Sequence, residues 1–165
     1  MSPEPEIKPE IKPEIKIEEY GEGFKTVLIC DDNAETLNLI NSALKELQYK
    51  VEISTGSSDT YEKLRFNQYD VVVLNENFGG SAPENNEVLK FLQNMPMNTR
   101  RHIFLALVGQ NLKTLDNMTA FSKSVNAVIN KQDLPNLVNI LKKSVADNDQ
   151  FYKVYKEILR KLGKR

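Results

Sequence analysis

The sequence has very little cysteine or histidine and no long apolar segment, and each shortage argues against a class of protein. The single cysteine, Cys30, cannot form an internal disulfide, so a reducing, cytoplasmic location is expected. One histidine and one cysteine are too few for a zinc site made of these ligands. No run approaches the roughly 18 consecutive apolar residues of a membrane span, and the first residues lack the apolar core of a signal peptide.

Residues 1–23 carry a tetrapeptide repeat and lack the hydrophobic periodicity that is typical of the strands and helices of a folded domain. The repeat is Pro-Glu-Ile-Lys, and it occurs at 5–8, 9–12 and 13–16. Proline at every fourth position removes amide donors and interrupts helices. We therefore predict an extended tether, while the regularly spaced isoleucines allow a second interpretation, a binding motif.

From residue 24 to residue 146, short apolar strands alternate with amphipathic helical patterns. The strand patterns lie at 26–30, 51–53, 71–74, 103–108 and 127–129. Each is followed by apolar residues at helical spacing, with Asn33 as the N-cap of the first helix and with Leu112, Leu115, Met118 and Phe121 marking the fourth. Five such units predict an α/β, flavodoxin-like, doubly wound parallel sheet of order 2-1-3-4-5, with helices on both faces.

Polar residues stand where the first and third strands end. Asp31 and Asp32 follow the first strand, and Asn75 closes the third. Ligands bind at the carboxyl edge of such sheets, at the switch point between these two strands, so we expect the three side chains to meet there. The amide is the informative residue, because it is uncharged and is not a competent nucleophile.

Residues 25–146 resemble the receiver domain of bacterial response regulators, of the chemotaxis type. Residues 27–33 resemble the family's first strand with its acidic pair, and residues 70–75 its third strand, which ends in that family on the phospho-accepting aspartate. Residues 125–131 resemble the fifth strand and its lysine, here Lys131. Val108 falls where the family carries a threonine or serine that hydrogen-bonds the phosphoryl group. The resemblance implies a part in two-component, phosphorelay-type signal transduction.

Three departures from the family pattern remove the chemistry that the resemblance would imply. Asn75 cannot form an acyl phosphate, and it lowers the negative charge of a Mg²⁺ site. Val108 offers no hydroxyl, and Val128 stands where many members carry a switching aromatic residue. We therefore expect a pseudo-receiver that is not an enzyme and uses no cofactor. No metal is expected either, beyond weak Mg²⁺ binding at Asp31 and Asp32.

The retained charged residues also have simpler interpretations. Asp31 and Asp32 either bind a cation weakly or cap the following helix, where negative charge is favourable. Lys131 is expected to form an ion pair with one of them, and the alternative is that it binds an anion. Two other functions stay open. One is phosphotransfer with Asp31 or Asp32 as an atypical acceptor. The other is a small flavodoxin-like enzyme that binds an anion, although no glycine-rich turn follows the first strand.

Residues 147–165 extend beyond the expected end of the domain. Apolar residues at helical spacing predict an amphipathic interaction helix here, with Gly163 at its C-terminal end: Phe151, Tyr152, Tyr155, Ile158, Leu159 and Leu162. This segment either continues the preceding helix, in a heptad seam that runs from Leu134 through Asn148 to Leu162, or it is a second helix, separated from the first by a break at 147–149.

The expected partner of this helix is a protein, either another chain or a second copy in a constitutive homodimer. After Asp149 the chain carries six lysines and arginines against one glutamate. A basic amphipathic helix can also contact nucleic acid or an anionic surface. No nucleic-acid recognition motif accompanies it, and the formal net charge is −1. The sequence therefore predicts a non-phosphorylatable interaction or dimerisation module that binds neither nucleic acid nor membranes.

Overall fold

The computed structural model describes residues 25–163, so the predicted tether at 1–23 lies outside the described residues. Five parallel strands form one sheet in the order β2-β1-β3-β4-β5, which confirms the predicted order. The strands are β1 Thr26–Cys30, β2 Lys50–Ile53, β3 Val71–Asn75, β4 Phe104–Gly109 and β5 Ala127–Asn130. The flavodoxin-like, doubly wound class predicted from the sequence is therefore the observed one.

Helices connect the strands and cover both faces of the sheet. They are α1 Ala34–Glu46, α2 Ser57–Phe66, α3 Glu87–Gln93, α4 Met97–Arg100, α5 Asn117–Lys123 and α6 Leu137–Lys161. Short 3₁₀ segments lie at Phe78–Gly80, Pro83–Asn85 and Lys131–Asn136. Asn33 is the N-cap of α1, as predicted, and its side chain accepts a hydrogen bond from the Thr36 amide at 3.0 Å.

Successive strand residues point to opposite faces of the sheet and supply two apolar layers. In β3, Val71 and Val73 pack with α1 and α6, whereas Val72 and Leu74 pack with α3 and α5. All four side chains are fully buried. Burial of each large apolar side chain stabilises the fold by roughly 1.5–3 kcal/mol. These two layers hold the strand ends, and hence the polar residues that follow them, in fixed positions.

The predicted fourth helix is wrong in its first part, because the helix begins only at Asn117. Only Leu112 is buried, and it precedes α5, while Met118 and Phe121 are 75% and 81% exposed. Leu115 has a left-handed backbone, with φ 64°, which cannot continue a helix. Asp116 then caps α5 by accepting hydrogen bonds from the first-turn amides. A turn therefore occupies the first part of the segment, and the short helix turns its apolar side chains outward.

The C-terminal helix α6 is one continuous element, so a break at 147–149 does not occur. Asp147 lies within it and pairs with Lys143 one turn earlier, at 3.0 Å. The helix ends at Lys161, and Gly163 follows with φ +73°, as predicted for a C-terminal glycine. None of the helices within 25–163 has the length and apolar composition that a membrane crossing requires.

Candidate functional site

Asp31 and Asn75 meet at the carboxyl edge of the sheet, as predicted. Both are buried, with exposed fractions of 1% and 4%. The Asn75 side-chain amide donates a hydrogen bond to Asp31 Oδ2 at 3.2 Å. The Thr36 hydroxyl donates to the same oxygen at 2.7 Å, and the Asn33 backbone amide donates to Oδ1 at 2.9 Å. Three donors thus satisfy a carboxylate that burial alone would destabilise.

The orientation of the Asn75 amide is held by its other neighbours. Its side-chain oxygen accepts a hydrogen bond from the Asn77 backbone amide at 2.8 Å, which directs the NH₂ group toward Asp31. The buried Asn86 side chain donates to the backbone oxygens of Asn75 and Glu76 at 3.2 and 2.9 Å. Sequence reasoning missed Asn86, whose available signal was a good N-cap residue directly before the apolar run of α3.

Asp32 holds the loop after β3 rather than the start of α1. Its exposed side chain accepts a hydrogen bond from the Gly79 amide at 3.0 Å. Gly79 has φ +78°, a conformation that favours glycine, and this brings its amide toward the aspartate. Because Asn33 is the N-cap, the acidic pair does not serve as the helix cap. Asp31 is hydrogen-bonded to Asn75 inside the site, whereas Asp32 connects the end of β1 to the loop after β3 through its hydrogen bond with Gly79.

The arrangement does not fit a Mg²⁺ ion. Within residues 25–163, no group of three or more His, Cys, Asp or Glu side chains could hold a metal ion. The ion prefers oxygen ligands, whereas Asn75 presents its NH₂ group to Asp31. Both oxygens of that aspartate already accept hydrogen bonds from the protein. The structure therefore gives no support to the weak Mg²⁺ binding expected at Asp31 and Asp32.

Glu76 is a second residue that sequence reasoning missed. It follows Asn75 directly and is only 4% exposed. A Cβ atom on Gly109 would lie 2.1 Å from Glu76 Oε2, so the carboxylate occupies the space of a side chain at that position. Burial raises the pKa of Glu76, and the charge of Lys123 and the Gln110 amide partly oppose this rise. The sequence signal that could have indicated a buried Glu76 was Gly109, a glycine at the end of the neighbouring strand β4.

Val108 and Lys131 do not join this hydrogen-bonded group. Val108 lies opposite Asn75 in the sheet register, but its side chain is fully buried in the core on the α1 and α6 face. Lys131 is half-buried at the start of the 3₁₀ segment after β5. The predicted ion pair of Lys131 with an aspartate of the acidic pair is wrong. Among residues 25–163 the ion pairs are Lys25–Asp149, Lys63–Asp59 and Lys143–Asp147.

The predicted interaction residues of α6 divide between two faces of the helix. Tyr152, Tyr155 and Leu159 are half-buried and form the inner face. The outer face is a row of exposed apolar side chains, which we call the outer stripe: Phe151, Val154, Ile158 and Leu162, with exposed fractions of 76%, 64%, 51% and 63%. Val154 belongs to this row, although it was not among the predicted interaction residues.

The inner face of α6 is docked on its own domain. Arg101 donates a hydrogen bond to the Tyr155 hydroxyl and places its guanidinium 4.9 Å from the centre of that ring. Lys25 pairs with Asp149 at 3.0 Å. Most of the predicted heptad seam, including buried Leu141 and Val145, therefore faces the same chain. The α6 helix therefore has two different faces: the inner face packs against the domain, and the outer stripe is exposed to solvent.

Comparisons with known proteins place this fold among receiver domains. A response regulator from Thermotoga maritima is 18% identical, with a TM-score of 0.59 over 74% of this chain and 98% of that one. A CheY-like response regulator receiver domain protein from Methanospirillum hungatei is 16% identical, with a TM-score of 0.60 over 77% and 98%. At these identities the likeness shows the fold alone. No protein-family model matches the chain, and no curated protein matches it significantly.

Proposed function

We propose that this chain is a non-phosphorylatable, receiver-like interaction module of a signal-transduction system, with no enzymatic activity. The hydrogen bond from the Asn75 amide to Asp31 Oδ2 carries the proposal. Formation of an acyl phosphate requires a carboxylate nucleophile, and the amide supplies none. The same amide donates a hydrogen bond to an aspartate oxygen that could otherwise bind a cation. The site is therefore complete without a phosphoryl group or a metal.

A module of this kind must associate with its partner constitutively, since phosphorylation is unavailable as a switch. The outer stripe supports such association, because four large apolar side chains lie on one helix face in water. Basic residues flank it: Lys153, Lys156, Arg160 and Lys161, against Glu157 alone. Two copies of this helix side by side would bring like charges together. We therefore favour a different protein, with an apolar surface rimmed by acidic residues, over a homodimer.

The first test is phosphotransfer. We expect the protein, incubated with acetyl phosphate and Mg²⁺, to keep its unmodified intact mass. The Asn75→Asp variant is the matched positive variant, since it restores the carboxylate at the same position. A stoichiometric gain of one phosphoryl group by the unaltered chain would overturn the proposal. Loss of that gain in Asp32→Asn would then identify the exposed Asp32 as an atypical acceptor.

The second test is association. We expect the full chain to remain monomeric in light scattering at concentrations where a homodimer would form. We also expect an acidic, apolar partner helix to bind it with an affinity that falls with added salt. Phe151→Ser with Ile158→Ser should abolish that binding. Phe121→Ser, which removes an equally exposed aromatic side chain from α5, is the control. A dimer that these stripe substitutions dissociate would instead establish self-association.

A further inference from the structure

An open groove lies at the amino edge of the sheet, opposite the edge that carries Asp31 and Asn75. Its volume is about 720 Å³. One wall is the end of α2 with the segment before β3, another is the region around α4, and the inner face of α6 closes the third side. We call it the basal groove; its lining includes Leu64, Phe66, Asp70, Met95, Tyr155 and Leu159.

The basal groove combines an apolar wall with polar lining residues such as Arg65 and Asn98, and the described residues do not fill it. Phe66 is 70% exposed, although it lines a concave surface beside Leu64 and Leu159. A ligand that covers this exposed aromatic ring would gain binding free energy, since burial of a large side chain contributes roughly 1.5–3 kcal/mol. The missing occupant must therefore bring apolar side chains.

The chain enters the fold at the edge of this groove. The Thr26 amide donates a hydrogen bond to Asp70 Oδ2 at 2.9 Å, and Asp70 is part of the groove lining. Lys25, one residue earlier, pairs with Asp149 of α6 at 3.0 Å. Residues 1–24 are thus attached beside the groove, close to the helix that forms its wall. A segment tethered so closely has a high effective concentration there and loses little entropy on closing a short loop.

The composition of residues 1–24 complements the rest of the molecule. The segment holds seven glutamates and three lysines, while residues 25–165 carry a net charge of +3. Its isoleucines stand at 7, 11, 15 and 17, the first three at intervals of four residues, and supply apolar side chains. The proline of each repeat restricts the free chain and lowers the entropy lost on binding. Acidic and apolar residues alternate in the segment, and the groove lining carries the basic Arg65 beside its apolar residues.

We propose that the Pro-Glu-Ile-Lys repeats bind in the basal groove of their own chain. The isoleucines contact the apolar lining around Phe66, and the glutamates lie toward Arg65 of the same lining. At about 3.1 Å per residue in an extended chain, the residues between Ile17 and Lys25 span roughly 25 Å. The last repeat therefore reaches the groove from its attachment point. The repeat is then an intramolecular ligand, not a passive spacer.

A spin label on the repeat tests this proposal in the full chain. Cys30 is fully buried, and burial raises the pKa of its thiol to about 12, so Lys12→Cys provides the one reactive position. Methyl resonances of Met95, in the groove, and of Met118, on α5 and 75% exposed, are then compared. We expect the label to broaden Met95 strongly and to leave Met118 sharp. High salt should reduce the effect by screening.

Matched variants decide what the broadening means. Serine at positions 7, 11 and 15, in place of isoleucine, should restore the Met95 signal without any effect on the fold. Phe66→Ser should do the same, whereas Phe121→Ser, at another exposed aromatic residue, should not. Equal broadening of Met95 and Met118, or broadening that survives the serine substitutions, would overturn the proposal and leave a free tether.

Mixed samples separate the two possible sources of the repeat. One copy carries the spin label and a second, unlabelled copy carries the isotope. We expect no broadening of Met95 in this mixture, because the repeat binds within its own chain. Strong broadening there would assign the groove to the repeat of a second copy and overturn the intramolecular proposal.

Discussion

The two edges of the sheet differ in how their polar and apolar groups are satisfied. At the carboxyl edge, Asp31 and Asn75 are buried and bonded to each other and to neighbouring amides. At the amino edge, Phe66 remains exposed over an open groove. Parallel α/β sheets carry their ligand sites at the carboxyl edge, yet here that edge is closed by the protein's own side chains. Exposed apolar side chains lie instead at the other edge and on α6.

The largest expected effect comes from reopening the carboxyl edge with Asn75→Asp. Two carboxylates would then face each other in a buried site, which should lower the stability at pH 7 by about 2–4 kcal/mol. Mutual repulsion raises a carboxyl pKa in the folded state, so this loss should appear as pH rises and shrink as pH falls. Urea unfolding at pH 5 and pH 8 measures it, with the unaltered protein as reference. Equal losses at both pH values would show that the two residues are not coupled.

The same variant makes a metal test possible. Mg²⁺ should restore part of the stability of Asn75→Asp at pH 8, since three carboxylates with Asp32 then offer oxygen ligands. The unaltered protein should show no change in melting temperature with Mg²⁺. A stabilisation of the unaltered protein by Mg²⁺ would mean that Asp31 and Asp32 bind the ion without a third carboxylate.

The next effect concerns the contact of Glu76 with Gly109. Gly109→Ala should force the Glu76 carboxylate and a methyl group of Leu112 to move, because the new Cβ would lie 2.1 and 2.9 Å from their nearest atoms. We expect a loss of about 1–3 kcal/mol, as for other over-packed sites. Gly56→Ala is the control, since a Cβ there has no neighbour within 4 Å. Equal losses in the two variants would locate the effect in the backbone and not in the contact with Glu76.

A smaller effect should separate the two faces of α6. Tyr155→Ala removes the ring beneath Arg101 and should lower stability by about 1–2 kcal/mol. Phe151→Ala, on the outer stripe, should change stability by less than about 0.5 kcal/mol. Circular dichroism at 222 nm during urea unfolding measures both. If both variants lose the same stability, the outer stripe is buried in solution, by a second copy or by another part of the chain.

The smallest effect concerns the pH dependence that Glu76 gives to the fold. Burial raises the pKa of its carboxyl above the ordinary value, so the protonated form is favoured in the folded state. Stability should therefore fall as pH rises from the ordinary pKa of a glutamate through the raised one. Glu76→Gln should remove this slope. Asp116, whose pKa is lowered by the Thr119 amide, gives the opposite slope and is the control as Asp116→Asn.

Much of the fold follows from local hydrophobic patterns, whose interpretation does not depend on contacts with distant parts of the chain. Uninterrupted apolar runs such as 71–74 require burial on both faces, and that is possible only for strands inside a covered parallel sheet. The strand order then brings Asp31 and Asn75 to one edge. The fourth helix was less predictable, because the apolar spacing of Met118 and Phe121 indicates a helix but does not say that its apolar face is covered. The left-handed turn at Leu115 has no signal in the sequence.

The sequence predicted which residues lie at the candidate site better than it predicted the hydrogen bonds and packing contacts between them. That no phospho-accepting carboxylate stands at position 75 is readable from the amino-acid sequence, because the identity of a side chain needs no structure. Three contacts follow from the folded structure and not from the sequence: the amide donates to Asp31, Glu76 occupies the space beside Gly109, and Lys131 has no carboxylate partner among residues 25–163. Each of these depends on distances between residues far apart in the chain. The same holds for α6, whose periodicity predicted an amphipathic helix, while packing alone selected which face meets the domain and which stays open.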